Sequence, residues 1–300
     1  MKSNGKRNTG LTINQKQGLT GWFFLLPAAL LIFAMNFYPM LQALVLSFKT
    51  GIGNNQVWGG LGNYARLLQD KVFHTAIINN FFYLLIQVPV MLVAAIILAT
   101  LLNKKDLKFK GLFRTMIFLP CCTALVSYSI IFKTLFAYDG YVNTVLVNMG
   151  LISERINWLG QVGTAKVIII IALIWRWTGY NMVFYLAGLQ NIDESLYEAA
   201  RIDGAGPVKA FFKITVPLLR PTILLTTIMS INGTLQLFDE SVNLTNGGPA
   251  NSTLTMSHYI YKASFEYNPQ FGYAAAMSYV IFILVAVLSF IQMKVGDKRD

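Results

Sequence analysis

Long apolar runs constrain this chain more than anything else in it. Six stretches, near 21–47, 77–102, 112–136, 164–188, 219–243 and 271–293, each reach the length a helix needs to cross a bilayer, about 20 residues. The predicted fold class is an all-α integral membrane protein with six transmembrane helices. Composition agrees, because 55% of residues are hydrophobic and only 12% charged, whereas soluble domains carry about 25% charged residues.

The formal net charge of +11 points to a membrane surface and not to nucleic acid, because the basic residues gather at the ends of the apolar runs. Lys2, Lys6, Arg7 and Lys16 precede the first run with no acid among them. Lys104, Lys105, Lys108, Lys110 and Arg114 crowd the 103–114 loop against Asp106, and Lys294, Lys298 and Arg299 follow the last run. The alternate loops are poor in bases: 137–163 holds only Arg155, and 244–270 only Lys262. Positively charged loops stay in the cytoplasm, which puts both termini and the 189–218 segment on that side. The expected organisation is a mobile cytoplasmic tail at 1–18, a first span with an outer loop at 19–76, a five-helix core at 77–293, and a second tail at 294–300. The first run exceeds the h-region of a signal peptide and lacks its small-residue cleavage pattern, so it is expected to remain a membrane helix.

Pro27, Pro39, Pro89, Pro120 and Gly233 punctuate the runs. Such breaks persist in a membrane where neighbouring protein or water satisfies the freed backbone groups, as in a bundle lining a cavity. Cys121 and Cys122 are adjacent in an apolar run and read as small buried hydrophobes, since neighbours in one turn form no disulfide framework.

The segment 193–217 stands out between the fourth and fifth runs because it is polar and patterned. Asp193 or Ser195 suits a helix N-cap, and Ser195-x-x-Glu198 fits a capping box. Gly204 and Gly206 stop that helix, and Pro207 suits the first turn of another. In the second helix Val208, Phe211, Phe212 and Thr215 share a face. The product is a helix–turn–helix lying under the membrane.

Glu198-Ala199-Ala200, then Gly204, then Ile214-x-Val216-Pro217, resembles the EAA loop of the permeases of ABC importers. Valine stands at 216 where that family usually has leucine, which preserves apolar bulk. The extension Arg201-Ile-Asp203-Gly-Ala-Gly206 resembles the carbohydrate branch, related to maltose and glycerol-phosphate permeases. The strings Gly60-Leu-Gly-Asn-Tyr64, Leu244-Thr-Asn-Gly-Gly-Pro249 and Phe271-Gly-Tyr-Ala-Ala-Ala276 agree with it. The resemblance covers about 20–293. It implies a bacterial plasma (inner) membrane protein whose loop is a cytoplasmic coupling helix between helices 4 and 5, docked in a cleft of an ATPase. Glu198, Ala199, Ala200, Asp203, Gly204, Ile214 and Pro217 are the coupling residues it implies; read from the residues alone, Glu198 is also a helix-capping acid. It further implies a second homologous permease subunit, two cytoplasmic ATPase subunits and an extracytoplasmic sugar-binding protein. The chain has no GxxxxGK[ST] phosphate loop, so ATP and Mg are expected on the partner ATPase. No cofactor, metal or catalytic residue is assigned to this chain.

Polar side chains inside membrane helices are costly and face the bundle interior. Asn232, Gln236, Asp239 and Asn243 follow helical spacing and are expected on one face of the fifth span, with Glu240 beside that stripe and both Asp239 and Glu240 at the outer interface. Trp175, Trp177, Tyr180 and Asn181 in the fourth span offer the aromatic platform and amide that a sugar needs. Asn232, Gln236, Asp239, Trp175, Tyr180 and Asn181 are therefore the candidate substrate path, and hydrogen bonding between two permease chains is the other reading of these polar groups. Arg176 is assigned a structural role, and His74 and His258 are placed in outer loops. The reading favoured is import of a sugar, of oligosaccharide type. Alternatives are the same architecture importing an amino acid, polyamine or phosphate ester, a secondary carrier, or an intramembrane enzyme. Scattered acids argue against the enzyme, and a carrier gives the 193–217 hairpin no purpose.

Overall fold

The computed structural model describes residues 13–104 and 106–296. The chain is an all-α integral membrane protein. Four helical segments are long and apolar enough to cross a membrane, Thr20–Ser47, Lys71–Leu102, Val162–Gln190 and Phe271–Gly296, and the number reaches six if each of two bent pairs is one span.

The first span comprises α1 (Ile13–Ile32), a π-helical turn at Phe33–Phe37, and α2 (Tyr38–Ser47). It begins inside the segment expected to be a mobile tail: 13–18 are helical because the apolar run extends its helix backwards. Lys2, Lys6 and Arg7, like Lys105, Lys298 and Arg299, lie outside the described residues. A two-stranded hairpin follows, β1 (Lys49–Ile52) and β2 (Asn55–Trp58), then α3 (Gly62–Leu67). The Gly60–Tyr64 string now has a physical role. The buried Asn63 amide donates to the carbonyls of Ser47 and Lys49, at 2.9 and 2.7 Å, satisfying groups left open at the end of α2.

The second span, α4 (Lys71–Leu102), starts at Asp70, whose carboxylate accepts from the Val72 and Phe73 amides. Its other oxygen accepts from Tyr259, at 2.7 Å, and from Tyr273. Burial pushes this carboxyl up, but the Tyr273 and Tyr259 hydroxyls and the two backbone amides outweigh it and hold it below the ordinary range. One acid thus caps α4 and ties it to α13 (Met256–Tyr261) and to the last span, α14 (Phe271–Gly296).

The third span is α5 (Lys110–Cys122) and α6 (Leu125–Leu135), bent by 98° at Thr123–Ala124. After α7 (Tyr141–Asn148) comes α8 (Val162–Gln190), the fourth span. Arg176 on α8 is buried and donates to the Thr123 carbonyl at 2.9 Å, with its guanidinium 4.6 Å from the Tyr128 ring. This confirms the structural assignment: the cation satisfies a carbonyl that the bend releases. Cys121 is half-buried and Cys122 exposed, so neither is the enclosed small hydrophobe expected, because the bend turns them out of the core.

The 193–217 segment forms α9 (Glu194–Ile202), α10 (Pro207–Ala210), a π-helical turn at Phe211–Thr215, and α11 (Val216–Leu218). The fifth span, α12 (Arg220–Leu235), meets the Pro207–Leu218 arm at a 69° bend. Here the expected single stripe fails. The helix ends at Leu235, and Gln236 takes the C-cap, so Asn232, Gln236, Asp239 and Asn243 are not on one continuous helical face. The interruption is fixed from α4, where the Asn80 amide donates to the Thr234 and Leu235 carbonyls, both at 3.0 Å.

A loop with further π-helical turns at Ser241–Thr245 and Lys262–Glu266 then leads to α13 and α14. His258 is not a surface loop residue but a fully buried member of α13, with Nδ1 2.8 Å from Ser241 Oγ. Burial, with Lys262 nearby, lowers its pKa to about 4. His74 sits exposed in the first turn of α4.

Candidate functional site

The bends in the third and fifth spans leave a cavity of about 360 Å³ between α4, α6, α8 and α12. Its size falls at the lower end of small-molecule sites, about 300–1,000 Å³. Tyr180, Asn181, Gln236 and Asp239 line it as expected, and Gln87, Trp177 and Glu240 join them. Asn232 and Trp175 do not. Asn232 faces α14 and accepts a hydrogen bond from Ser289 Oγ at 3.2 Å. Trp175 packs on the Tyr128 and Phe132 rings at 6.3 and 5.4 Å. Both miss the cavity because α8 and α12 turn those positions towards other helices.

The polar lining is held by its neighbours and only weakly satisfied. Gln87 is buried; its carbonyl accepts from Thr234 Oγ1 at 3.0 Å, and its amide donates to Met91 Sδ at 3.1 Å. The Asn181 amide donates to the same sulfur at 3.6 Å and to the Trp177 carbonyl at 3.0 Å. A thioether is a weak acceptor, so two amides point at a partner that a hydroxyl oxygen would improve on. Trp177 and Tyr180 meet edge to face, with ring centroids 5.7 Å apart. Glu240 is buried within the protein and accepts from the Tyr128 hydroxyl. Sequence reading had no reason to choose Gln87, since an isolated amide in an apolar helix also suits helix–helix bonding. Only the packing of α4 against α12 places it here.

The second constellation is the hairpin. Asp193 is the N-cap and accepts from the Ser195 amide at 2.9 Å; that bond holds its carboxyl below the ordinary range. Ser195 therefore lies inside α9, and the Ser195–Glu198 capping box does not form. Gly204 has φ of 72°, and the amides of Ala205 and Gly204 reach back to the carbonyls of Ala200 and Arg201 at 2.8 and 3.1 Å. This is a Schellman stop, which a residue with a side chain adopts at a cost. Pro207 opens α10 as expected. The apolar face of the second arm splits, with Phe211 and Thr215 packed inward and Val208 and Phe212 exposed. The reason lies in the Tyr197 hydroxyl, 2.9 Å from Thr215 Oγ1, which rolls one edge of the arm onto α9.

Glu198, Ala199, Asp203, Gly204 and Pro217 are exposed, while Ala200 and Ile214 are half-buried. Ile202 is 87% exposed on the same projection, which leaves an acid and apolar side chains together on a free surface. Behind the hairpin, α12 presses on α8 so closely that a Cβ at Gly188 would lie 2.7 Å from Leu219. Tyr185 on α8 meets Thr226 on α12 with oxygens 2.6 Å apart.

Residues 60–299 match the family described as binding-protein-dependent transport system inner membrane component. The chain is 54% identical over 283 residues to the lactose transport system permease protein LacF of Rhizobium radiobacter, covering 94% of this chain and 95% of that one. It is 33% identical over 278 residues to the arabinooligosaccharides transport system permease protein AraP of Bacillus subtilis, covering 92% and 88%. Its fold matches a chain of a bacterial ABC transporter involved in import of the acidic polysaccharide alginate, with TM-score 0.85, 23% identity, and 95% and 98% of the two chains covered.

Proposed function

The chain belongs to the family of binding-protein-dependent transport system inner membrane components, and from that premise we propose that it is the permease subunit of an ATP-driven importer of an oligosaccharide-type sugar. The observation that carries the sugar reading is the cavity, whose lining includes the amides of Gln87, Asn181 and Gln236 and the Trp177 and Tyr180 rings. Sugar hydroxyls need donors and acceptors at several angles, and the apolar face of a sugar ring lies against aromatic faces. A hydroxyl oxygen entering between Gln87 and Asn181 replaces Met91 Sδ as their acceptor, which makes the exchange favourable. The names of the lactose and arabinooligosaccharide permeases support the same class, and lactose is the first substrate to test.

In this reading the exposed hairpin docks on a separate ATPase, which binds ATP and Mg. Glu198 offers a charge to a basic residue of that partner, and truncating one member of a buried charged pair costs about 2–5 kcal/mol. Ala199 and Ala200 permit close approach. Movement of the docked hairpin passes through Leu219, which is 1% exposed and pressed on Gly188, into α12, and so to the wall at Met229–Leu235. A second permease chain completes the path, an extracytoplasmic binding protein delivers the sugar, and both termini face the cytoplasm of the inner (plasma) membrane.

The test is ATP hydrolysis by the assembled importer, reconstituted with its binding protein and supplied with lactose and a panel of oligosaccharides. Stimulation by one of them supports the sugar reading, and stimulation by none removes it. Glu198→Lys is expected to abolish both stimulation and co-purification of the ATPase. If coupling survives that change, the hairpin is not the docking element.

A further inference from the structure

The charge of the cavity has a consequence for what passes through it. Among the described residues lining it are two carboxylates, Asp239 and Glu240, and no lysine, arginine or histidine. Arg176, the cation in electrostatic reach of Glu240, is turned away to the Thr123 carbonyl and the Tyr128 ring and does not line the space. Glu240 is 3% exposed and held by the Tyr128 hydroxyl; burial pushes its carboxyl up and Arg176 lies in electrostatic reach of it, so the lasting negative charge of the lining is that of Asp239. Asp239 is half-buried, and its carbonyl accepts from the Asn243 amide at 2.9 Å, which fixes the backbone from which its carboxylate projects. The acids thus have defined positions, and the amide donors opposite them are neutral.

We infer that Asp239 makes this path charge-selective: it takes neutral or cationic polyhydroxylated solutes and rejects carboxylated ones such as uronates. An anion entering a low-dielectric cavity beside the Asp239 carboxylate meets repulsion that water screens only partly. A neutral sugar meets acceptors for its hydroxyls instead. The inference rests on the importer reading for its physiological meaning, but its electrostatic content does not.

Gly233 supplies the probe position. It lines the cavity, and a Cβ built there meets nothing within 4 Å. With Cys121 and Cys122, the chain's two cysteines, replaced by serine, the full-length permease carrying Gly233→Cys has one reactive thiol. Its modification rates by a trimethylammonium methanethiosulfonate and a sulfonate methanethiosulfonate are measured in detergent. In each case the thiolate sulfur forms a mixed disulfide and methanesulfinate leaves. The cation-to-anion rate ratio is divided by the same ratio for a free thiol in solution. The expected quotient is at least about tenfold, the enrichment typical of a cleft lined by one sign of charge.

Asp239→Asn should bring that quotient near one. A quotient near one at the start, no response to Asp239→Asn, or no modification by either reagent overturns the inference. Failure of the sugar reading appears elsewhere, in lactose-stimulated ATP hydrolysis, and leaves this quotient untouched.

Discussion

Gly179→Ala tests the close crossing of α5 and α8. A Cβ on Gly179 would lie 1.9 Å from the Ile117 carbonyl oxygen, 2.7 Å from its carbon and 3.0 Å from Phe118 Cα. All three atoms are backbone, so no rotamer change relieves the clash. Carbon and carbonyl oxygen come to rest at about 3.3 Å, and α5 must therefore move away from α8 by more than an ångström. Overpacking of that kind costs about 1–3 kcal/mol. Arg176 lies one turn away on α8, and its 2.9 Å bond to the Thr123 carbonyl stretches past useful length when α5 retreats. Losing a charged hydrogen bond costs about 1.5–3 kcal/mol more, so the expected destabilisation is about 3–5 kcal/mol. The control is Gly163→Ala, in the first turn of the same helix, where a Cβ meets nothing within 4 Å; it should be neutral or stabilising by up to about 1 kcal/mol. Thermal unfolding of the purified variants in detergent, followed by loss of the monodisperse peak, reads the difference. Equal stability for the two variants would refute the close approach and with it the account of the third-span bend.

Other changes separate further contributions. Asp70→Ala removes the cap of α4 and leaves the Tyr259 and Tyr273 hydroxyls without their acceptor, which should cost about 2–4 kcal/mol in the same melting assay. His258 has a folded pKa near 4, below its ordinary value, so it stays neutral in the fold while the unfolded chain takes up a proton. Stability is therefore complete above about pH 6.5 and declines towards pH 4, by up to roughly 2–3 kcal/mol. His258→Gln should flatten that dependence, seen as a smaller shift in melting temperature with acidification. Asn80→Leu removes the amide that donates to the Thr234 and Leu235 carbonyls. It should cost about 2–4 kcal/mol by leaving the Leu235 carbonyl and the Met256 amide, which donates to Asn80 Oδ1, without these partners, and should lower sugar-stimulated ATP hydrolysis by displacing the wall of the cavity.

The hairpin was legible in the sequence because its signals are local. Asp193, Gly204 and Pro207 act within a few residues of themselves, through a cap, a left-handed stop and a fixed φ, and the structure places them as such. The Ser195–Glu198 box failed for an equally local reason, since Asp193 took the cap first. The cavity was legible only in part. Tyr180, Asn181, Gln236 and Asp239 line it, but Asn232 and Trp175 do not, because the stripe was drawn on an unbroken helix. The break comes from Asn80, which is distant in the chain and carries no signal of what it will bind.

What the sequence by itself determined are the positions of the apolar runs, the hairpin between the fourth and fifth, and the family. Each follows from hydrophobic run length, from capping and turn chemistry, or from a contiguous motif. Tertiary structure alone decided where the third and fifth spans break, which side chains the breaks expose to the cavity, and that the half-buried Asp239 and the buried Glu240, but no lysine, arginine or histidine, join its described lining. Those features depend on bonds such as Arg176 to Thr123 and Asn80 to Leu235, between residues far apart in the chain. A backbone group in an apolar interior must find a partner somewhere, and only the packed helices specify which partner it finds.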